Sequence, residues 1–447
     1  PQEFGQRISL RGQFAQTPFH RRGDWQDWGG QIYLDLPYVD VVNLRQWVSL
    51  DQGITLEQGR GRARLWADVQ KGLPTGAWAD VDLDAVKLRL GSDLAPLGLQ
   101  HVKGMLGAQW QSDELTLSGQ NLRFDTDEGE HWPGGNWRVY LRGDNARAGV
   151  VTAERLDLEA LAQVVQRLPV PAQWRAQLAR GEPKGSVRQL RLSWALGKSE
   201  QETPHYSAQG HIDNLHWTRD TQGALQNLPG LDRANVEFDL SQTEGKAKFS
   251  VTQGHVELPM GLDEPRIALE DAAVQLAWRR DGDQIQLKFT QGRLANDDLA
   301  GEFSGQWKTG SAARPLPGVL DLTAAVTRAQ AQHVHRYLPN ALPLSVRDYL
   351  REAIQAGALT KTSVRIKGDL AQMPFRDPKQ GEFRVVTQVS KGQLAYVRPQ
   401  PNTPAWPALK YWSEVDSPSK GPRVWTVRPM WPGKKSMRKW LTWLNRV

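Results

Sequence analysis

Period-two alternation runs through this chain from its first strand-like segment to its last. Gln31-Ile-Tyr-Leu-Asp-Leu36 sets Ile32, Leu34 and Leu36 on one side. Arg60 to Val69 sets Gly61, Ala63, Leu65, Ala67 and Val69 on one face, and Arg60, Arg62, Arg64, Trp66 and Asp68 on the other. Successive side chains of a strand point to opposite faces, so the pattern describes a sheet with one apolar face and one wet face. Ala77 to Leu83 alternates and Ala85-Val86 breaks phase, as a β-bulge does. Alternation returns over 137–141, 190–196, 234–240, 274–278, 285–289, 299–307, 320–326 and 364–366. Arg280-Asp-Gly-Asp283 between two such runs is a hairpin signal. Strands often run into a glycine, at Gly119, Gly143, Gly210, Gly305 and Gly368, where a bulge or tight turn is expected. A long antiparallel meander is the simplest account.

The chain also repeats itself. Ile8 to His20 aligns without a gap on Val364 to Arg376, with Gly, Ala, Gln, Pro and Phe identical. Each copy reads as a short strand, a glycine and a Pro-Phe turn, the mark of an array rather than of a compact enzyme. Two helical interludes interrupt the strands. Asp157 is placed to cap a helix running through Arg167, with a second helix from Pro171 to Arg180. The other interlude starts near Arg328, breaks at Leu338-Pro339 and resumes at Ser345. There Ser345 and Asp348 have capping-box spacing, Val346, Tyr349, Leu350, Ala353 and Ile354 form an apolar stripe, and Gly357 is the expected stop. Each interlude leads into a strand beginning Ser-Val-Arg, at Ser186 and at Ser363. The expected role of these helices is to plug or cap the sheet; lying on a membrane or gating a cavity is the alternative.

The resulting division is a β-meander over 1–156, 186–327 and 358–410, helical interludes over 157–185 and 328–357, and an atypical tail over 411–447. The tail loses the alternation and holds five of the 19 Trp. It is read as non-native or disordered, with a membrane-surface segment as the alternative. It also explains the net charge of +7: residues 411–447 hold eight Lys/Arg against two Asp/Glu, while the other 410 residues hold 48 against 47. A balanced body carries no electrostatic footprint for phosphates, so nucleic acid is not an expected partner. Mean hydropathy is −0.56, and no apolar run reaches the ~18 residues of a spanning helix. The chain opens on Pro1-Gln2-Glu3-Phe4 without a methionine or signal peptide and reads as a piece of a longer protein. With no cysteine in 447 residues, disulfides, thiolate metal sites and Cys nucleophiles are excluded, and an oxidising compartment such as a periplasm fits.

Catalytic signatures are missing. No Gly-x-Ser-x-Gly, P-loop, His-Glu-x-x-His or dinucleotide fingerprint occurs. His333-x-His335, beside Tyr337, has no carboxylate close in sequence and reads as solvated or helix-terminal rather than metal-binding. Asp80, Asp82 and Asp84 at every second position resemble a carboxylate row of a polysaccharide-cleaving enzyme. The wet face of a strand whose other face is Ala79, Val81 and Leu83 explains them better. Trp66, Trp78, Trp110, Trp137, Trp194, Trp217, Trp278 and Trp307 fall on strands, where core packing is the default role. No metal or cofactor is expected.

Several runs resemble one known family. They are Tyr337-Leu-Pro339, Val346-Arg-Asp-Tyr-Leu350, Ala353-Ile354, Ala356-Gly357, Lys367-Gly-Asp-Leu370, Met373-Pro-Phe375, Gly381-Glu-Phe383, Leu394-Ala-Tyr396 and Trp406-Pro407. With Gly23-Asp-Trp25, Gly30 to Pro37 and Ala295-Asn-Asp-Asp-Leu-Ala-Gly301, their order resembles the YhdP family, large AsmA-like proteins of Gram-negative bacteria. The resemblance covers roughly 1–410. It implies a mainly β fold, an elongated, curled antiparallel sheet forming an open groove, here with two short helical interludes. It also implies a periplasmic protein held by an inner-membrane anchor that lies outside this chain. Its role would be to carry phospholipid between inner and outer membranes, with acyl chains as the bound partner and no enzymatic activity. About twenty-five strands at ~4.8 Å would span roughly 100 Å. Ala63, Leu65, Ala67, Val81, Leu83, Leu320, Leu322 and Ala324 are the candidates for lining the groove; any sheet core would use the same residues. The rival readings are a non-catalytic structural or binding scaffold with a sealed core, a polysaccharide-active solenoid, and an outer-membrane barrel. The helical interludes and the Arg-rich alternate faces argue against the barrel. Oligomeric state is left open.

Overall fold

The computed structural model describes residues 8–16, 28–44, 55–143, 146–168, 172–197, 204–219, 228–258, 262, 264–311, 313–338, 340, 342–373, 375, 377, 379–395 and 409–411. The chain divides into two compact units, 1–411 and 412–447; the second lies outside the described residues, as do the Pro-Phe turn of the first repeat copy and Trp406-Pro407.

The first part of the sheet comprises β1 (Ser9–Gln16), β2 (Trp28–Asp40), β3 (Thr55–Gln70), β4 (Leu73–Arg89), β5 (Leu97–Gln111), β6 (Glu114–Thr126), β7 (His131–Trp132), β8 (Trp137–Arg142) and β9 (Ala148–Asp157). A short helix, α1 (Val41–Leu44), separates β2 from β3. Next come α2 (Leu158–Val164), a 3-10 turn Val165–Arg167, and α3 (Ala172–Gly181). The meander resumes as β10 (Lys184–Ala195), β11 (His205–Trp217), β12 (Gly230–Ser241), β13 (Glu244–Glu257), β14 (Arg266–Asp281), β15 (Gln284–Ala295), β16 (Leu299–Lys308) and β17 (Val319–Gln330). A 3-10 turn Ala331–Tyr337 and α4 (Leu344–Ala353) precede β18 (Ile354–Asp369), β19 (Gly381–Leu394) and β20 (Leu409–Tyr411).

Among the described residues twenty strands join one sheet. Nineteen follow one another in chain order, every pairing antiparallel, and β7 is a two-residue strand beside β8 on β6. Among the described residues β1 pairs only with β2 and β20 only with β19, so the sheet stays open. The count is lower than the expected twenty-five because the strands are long, reaching 17 residues in β4. At ~4.8 Å per strand, nineteen strands cover about 85 Å along the hydrogen-bonding direction.

A meander puts successive connections on alternate edges. One edge is closed by tight turns such as Lys71-Gly72, Ser112-Asp113, Gln242-Thr243 and Gly282-Asp283. The Arg280–Asp283 hairpin falls here, with Gly282 at φ 58°. The opposite edge carries α1, α2 with α3, and the 3-10 turn with α4. Among the described residues all four α-helices therefore serve one long edge of the sheet, and the short 3-10 turn Leu370–Gln372 lies at the other.

The first interlude follows the sequence closely. Asp157 Oδ1 accepts the Ala160 amide at 3.0 Å and caps α2. The second interlude differs from expectation. Arg328 is still strand, and the helical turn begins at Ala331. The residue capping α4 is Pro343, not Ser345. Gly357 lies within β18, which starts at Ile354 directly after the helix, so the chain turns into a strand before the glycine is reached.

Of the five glycines expected at bulges or turns, Gly210 stands opposite the bulge formed by Gln189 and Leu190. Gly143 is a turn residue with φ 74°, as expected. Gly119, Gly210, Gly305 and Gly368 are inside strands. The non-glycine residues with left-handed φ within strands are Ala85, Asn121, Gln189, Asn214, Arg233, Gln253, Gln291, Lys361 and Lys391, at φ between 47° and 55°. The phase break at Ala85 is thus a real bulge, and the register of β3 on β4 shifts beside it. Each bulge adds local bend and twist to its strand.

Candidate functional site

Register converts the alternation into two continuous faces. Leu34 pairs with Leu65, Leu65 with Ala79, Ala79 with Leu106, and Leu106 with Gly119. At the far end Trp307 pairs with Leu320, Leu322 with Ile366 and Ile366 with Phe383. Following these pairs strand by strand keeps every apolar row on one face.

The eight residues singled out from the sequence all lie on this face. Ala63 faces Val81, Leu83 faces Val102, and Ala67 faces Ala77. Leu320, Leu322 and Ala324 continue the rows of Trp307, Gly305 and Phe303. Ala63 and Leu83 are buried in a closed cluster, while Leu65, Ala67, Val81, Leu320, Leu322 and Ala324 are half-buried.

Depth varies across the face. Toward the helical edge two clusters are sealed. One holds Leu36, Val39, Val41, Val86, Leu99 and Val102 with Val164 of α2. The other holds Leu215, Ala234, Val236, Val251 and Leu269, with Leu158 of α2 packed against it. Helix α2 therefore touches both, its two ends serving different clusters. Toward the tight-turn edge the same face opens: Leu106, Leu192 and Ile285 keep 37–39% of their surface exposed, and Tyr206 45%. The result is an apolar trough with a sealed side and an open side.

The opposite face is a charge ladder. Arg60, Arg62 and Arg64 of β3 stand directly opposite Asp84, Asp82 and Asp80 of β4. Asp82 also takes Lys103 at 2.8 Å, and Asp84 takes His101 at 2.8 Å. Similar cross-strand pairs follow: Lys248 with Glu237 at 2.9 Å, Arg293 with Asp271 at 2.7 Å, Arg188 with Asp213, and Arg365 with Asp321. The Arg188 hydrogen bond holds the Asp213 carboxyl below the usual carboxylate range, and the hydrogen bond to Asp82 raises the Lys103 ammonium. These pairs set the outer carboxylates against cations on the neighbouring strands. The aspartate row at 80, 82 and 84 is the register partner of an arginine row. Being exposed, such pairs add little stability, but opposite charges in register disfavour strand slips that would turn the apolar rows outward.

Trp66 and Trp78 are exceptions to the core role expected of strand tryptophans. They pair on the charged face, where Tyr33 lies 5.4 Å from Trp66. Trp137, Trp194, Trp278 and Trp307 are on the apolar face.

The histidine pair needs correction. His333 Nδ1 lies 2.5 Å from Asp298 Oδ1, so a carboxylate is close in space though remote in sequence. Asp298 is buried in the short β15–β16 loop. It accepts from Arg336 Nη1 at 2.9 Å and from the Tyr337 hydroxyl at 3.1 Å. Asn296 Nδ2 donates to Tyr337 at 2.8 Å. Burial works against the charged Asp298, but the hydrogen bonds from Arg336 and Tyr337 and the nearby His333 hold its carboxyl below the usual range. Burial pushes the Tyr337 hydroxyl up to about 12. This knot, missed from the sequence, fastens the second interlude to the sheet; its only trace there was the Ala295-Asn-Asp-Asp run. Among the described residues no group of three or more His, Cys, Asp or Glu is arranged to hold a metal ion, and no helix is long and apolar enough to cross a membrane.

An open antiparallel sheet with one continuous apolar face agrees with what the sequence resemblance implied, and comparison with protein families decides it. The YhdP protein family model matches residues 1–413. The chain belongs to the YhdP family. No curated protein and no solved structure matched it. The matched span takes in every described strand and both helical interludes, so the trough and the charge ladder are features of a YhdP-family segment.

Proposed function

We propose that this segment holds phospholipid acyl chains along its apolar face and passes them between the inner and outer membranes. It would act as a periplasmic, non-enzymatic part of a protein anchored in the inner membrane. The observation that carries the reading is the continuity of the apolar rows over nineteen strands, with the rows left half-buried on the tight-turn side. Exposing an acyl chain to water costs about 0.8 kcal/mol per CH₂. A lipid with roughly thirty such groups faces a barrier on the order of 20 kcal/mol if it crosses water bare. An unbroken apolar strip removes most of that cost, whereas a pocket of one lipid's size would only bind. Leu65, Ala67, Val81, Leu320, Leu322 and Ala324 are proposed to line the strip. Ala63 and Leu83 support it from the sealed side.

The sealed clusters favour a second reading, a passive scaffold whose core is complete without ligand. Lipid mass spectrometry separates the two, on the chain purified from bacteria without detergent and carrying a photo-crosslinker at Leu192 or at Arg191. These neighbours point to opposite faces, Leu192 toward Val151 and Arg191 toward Thr152. Co-purifying phospholipid that crosslinks from Leu192 alone is the expected result. Absence of lipid, with neither position crosslinking, would leave the scaffold.

A further inference from the structure

On the apolar face, outside both sealed clusters, three tryptophans lie over glycines instead of standing up from the sheet. Trp137 is paired across strands with Gly119, Trp194 with Gly149, and Trp278 with Gly245. A Cβ on any of these three glycines would meet two or more indole ring atoms closer than 3.0 Å. Each ring therefore covers the glycine opposite it. Phe303 over Gly292 and Phe289 over Gly305 repeat the arrangement further along. Strand side chains otherwise stand roughly perpendicular to their sheet, and an upright indole is the largest obstruction a side chain can place in a trough. Trp194 is further tied down by its Nε1–H, which donates to the Ala146 carbonyl at 3.0 Å.

On the charged face Trp78 covers Gly107 in the same way, where it serves the strand alone; on the apolar face the arrangement has a consequence beyond stability. Glycine weakens a strand through its entropy and its missing side chain, and an aromatic neighbour offsets part of that loss. A valine opposite a leucine would serve stability better at all three sites. What only glycine permits is an aromatic ring lying at floor level. We propose that Gly119, Gly149 and Gly245 are clearance positions: by letting Trp137, Trp194 and Trp278 recline, they keep the trough deep enough for acyl chains on its open side. The inference rests on the lipid-carrying reading and deepens it, by naming residues that decide whether the path is passable.

The test uses the whole 447-residue chain, purified without detergent, with phospholipid per protein measured by mass spectrometry and folding followed by circular dichroism. The variants are the double substitution Gly149→Ala with Gly245→Ala, and the same pair combined with Trp194→Leu and Trp278→Leu. The expected result is a fall in lipid content of severalfold in the alanine pair and a return toward the original content once the rings are replaced. A role in strand stability alone would not produce that rescue, because the leucine variants also lose the rings that shelter the strand. Full lipid content in a folded alanine pair overturns the proposal, as does a loss that leucine does not restore. Should the alanine pair not fold, Trp278→Leu on the unaltered glycine decides. Unchanged content supports a clearance role, and a severalfold fall overturns it by making the ring itself a lipid contact. An unsubstituted chain without lipid would refute the underlying transport reading instead, and this inference with it.

Discussion

Arg336 reaches from the 3-10 turn of the second helical interlude to Asp298, in the loop between β15 and β16, with 2.9 Å between Nη1 and Oδ2. The Asp298 side chain is 9% exposed, so this contact is largely withdrawn from water. With Tyr337 and His333 on the same carboxylate, it joins a helical segment to a part of the sheet 38 residues earlier. Hydrogen bonds to charged groups contribute about 1.5–3 kcal/mol each, and removing one partner of a buried pair leaves the other uncompensated. Arg336 is half-exposed and can rehydrate, which moderates the loss. Asp298→Ala is expected to lower stability by roughly 2 kcal/mol. Urea unfolding checks it, as a lower midpoint at unchanged slope.

The same knot sets a pH dependence at both ends of the scale. The Asp298 carboxyl titrates below its ordinary value, because the Arg336 and Tyr337 hydrogen bonds outweigh its burial. Its contribution is complete above the unfolded value of about 3.9 and disappears as pH falls through the folded value. Tyr337 goes the other way, raised by burial to about 12. Its contribution is complete below the unfolded value of about 10 and is lost as pH rises from there toward 12. Unfolding midpoints between pH 9 and 11 should fall for the original chain and fall less for Tyr337→Phe. An equal fall in both would assign the alkaline loss to other groups.

How far these features were legible in the sequence depends on how local they are. The arginine row at 60, 62 and 64 and the aspartate row at 80, 82 and 84 each announce a face, and their meeting follows from one hairpin. The Asp157 cap and the Ala85 bulge are likewise set by a few neighbouring residues. The glycine and tryptophan pairs are not local. Gly149 carries no signal of its own in the sequence and Trp194 is read as a core residue until the β9–β10 register, across a helical interlude, places one on the other. Asp298 and His333 meet only because the 3-10 turn Ala331–Tyr337 folds back onto the β15–β16 loop. At Ser345 the local rule competed with proline: Pro343 already supplies the extended backbone that a cap requires, so α4 starts one residue earlier, at Leu344.

Substitution by aspartate should lower lipid content on one face and leave it unchanged on the other. Leu192 faces Val151 and Ala208 within the trough, and Arg191 faces Thr152 and Gln209 on the outside. An aspartate at 192 sets an unpaired carboxylate against any bound acyl chain, a penalty above ~1.4 kcal/mol and so a factor of about ten in occupancy. Arg191→Asp reverses a charge on a face that is already ionic and hydrated. Phospholipid per protein is therefore expected to fall about tenfold for Leu192→Asp and to stay at the original level for Arg191→Asp. Equal losses would mean that lipid content reports general surface charge and not the apolar face.

Ala85 provides a test of the bulges independent of lipid. It holds φ 47° inside β4, a left-handed conformation that crowds its Cβ, and its side chain is exposed. That conformation costs a non-glycine residue roughly 1–2 kcal/mol. Glycine removes this strain but gives back part of the gain through the larger entropy of the unfolded chain. Ala85→Gly is expected to stabilise the protein by about 0.5–1 kcal/mol, and Ala85→Val, whose branched side chain is worst suited to positive φ, to destabilise it by more than that. Neighbouring packing is little involved, because the exposed Cβ leaves no cavity when removed. A destabilised glycine variant in urea unfolding would show that the bulge is not strained at Ala85. The phase break after Leu83 would then have to be held by the sealed residues that follow it, Val86 above all.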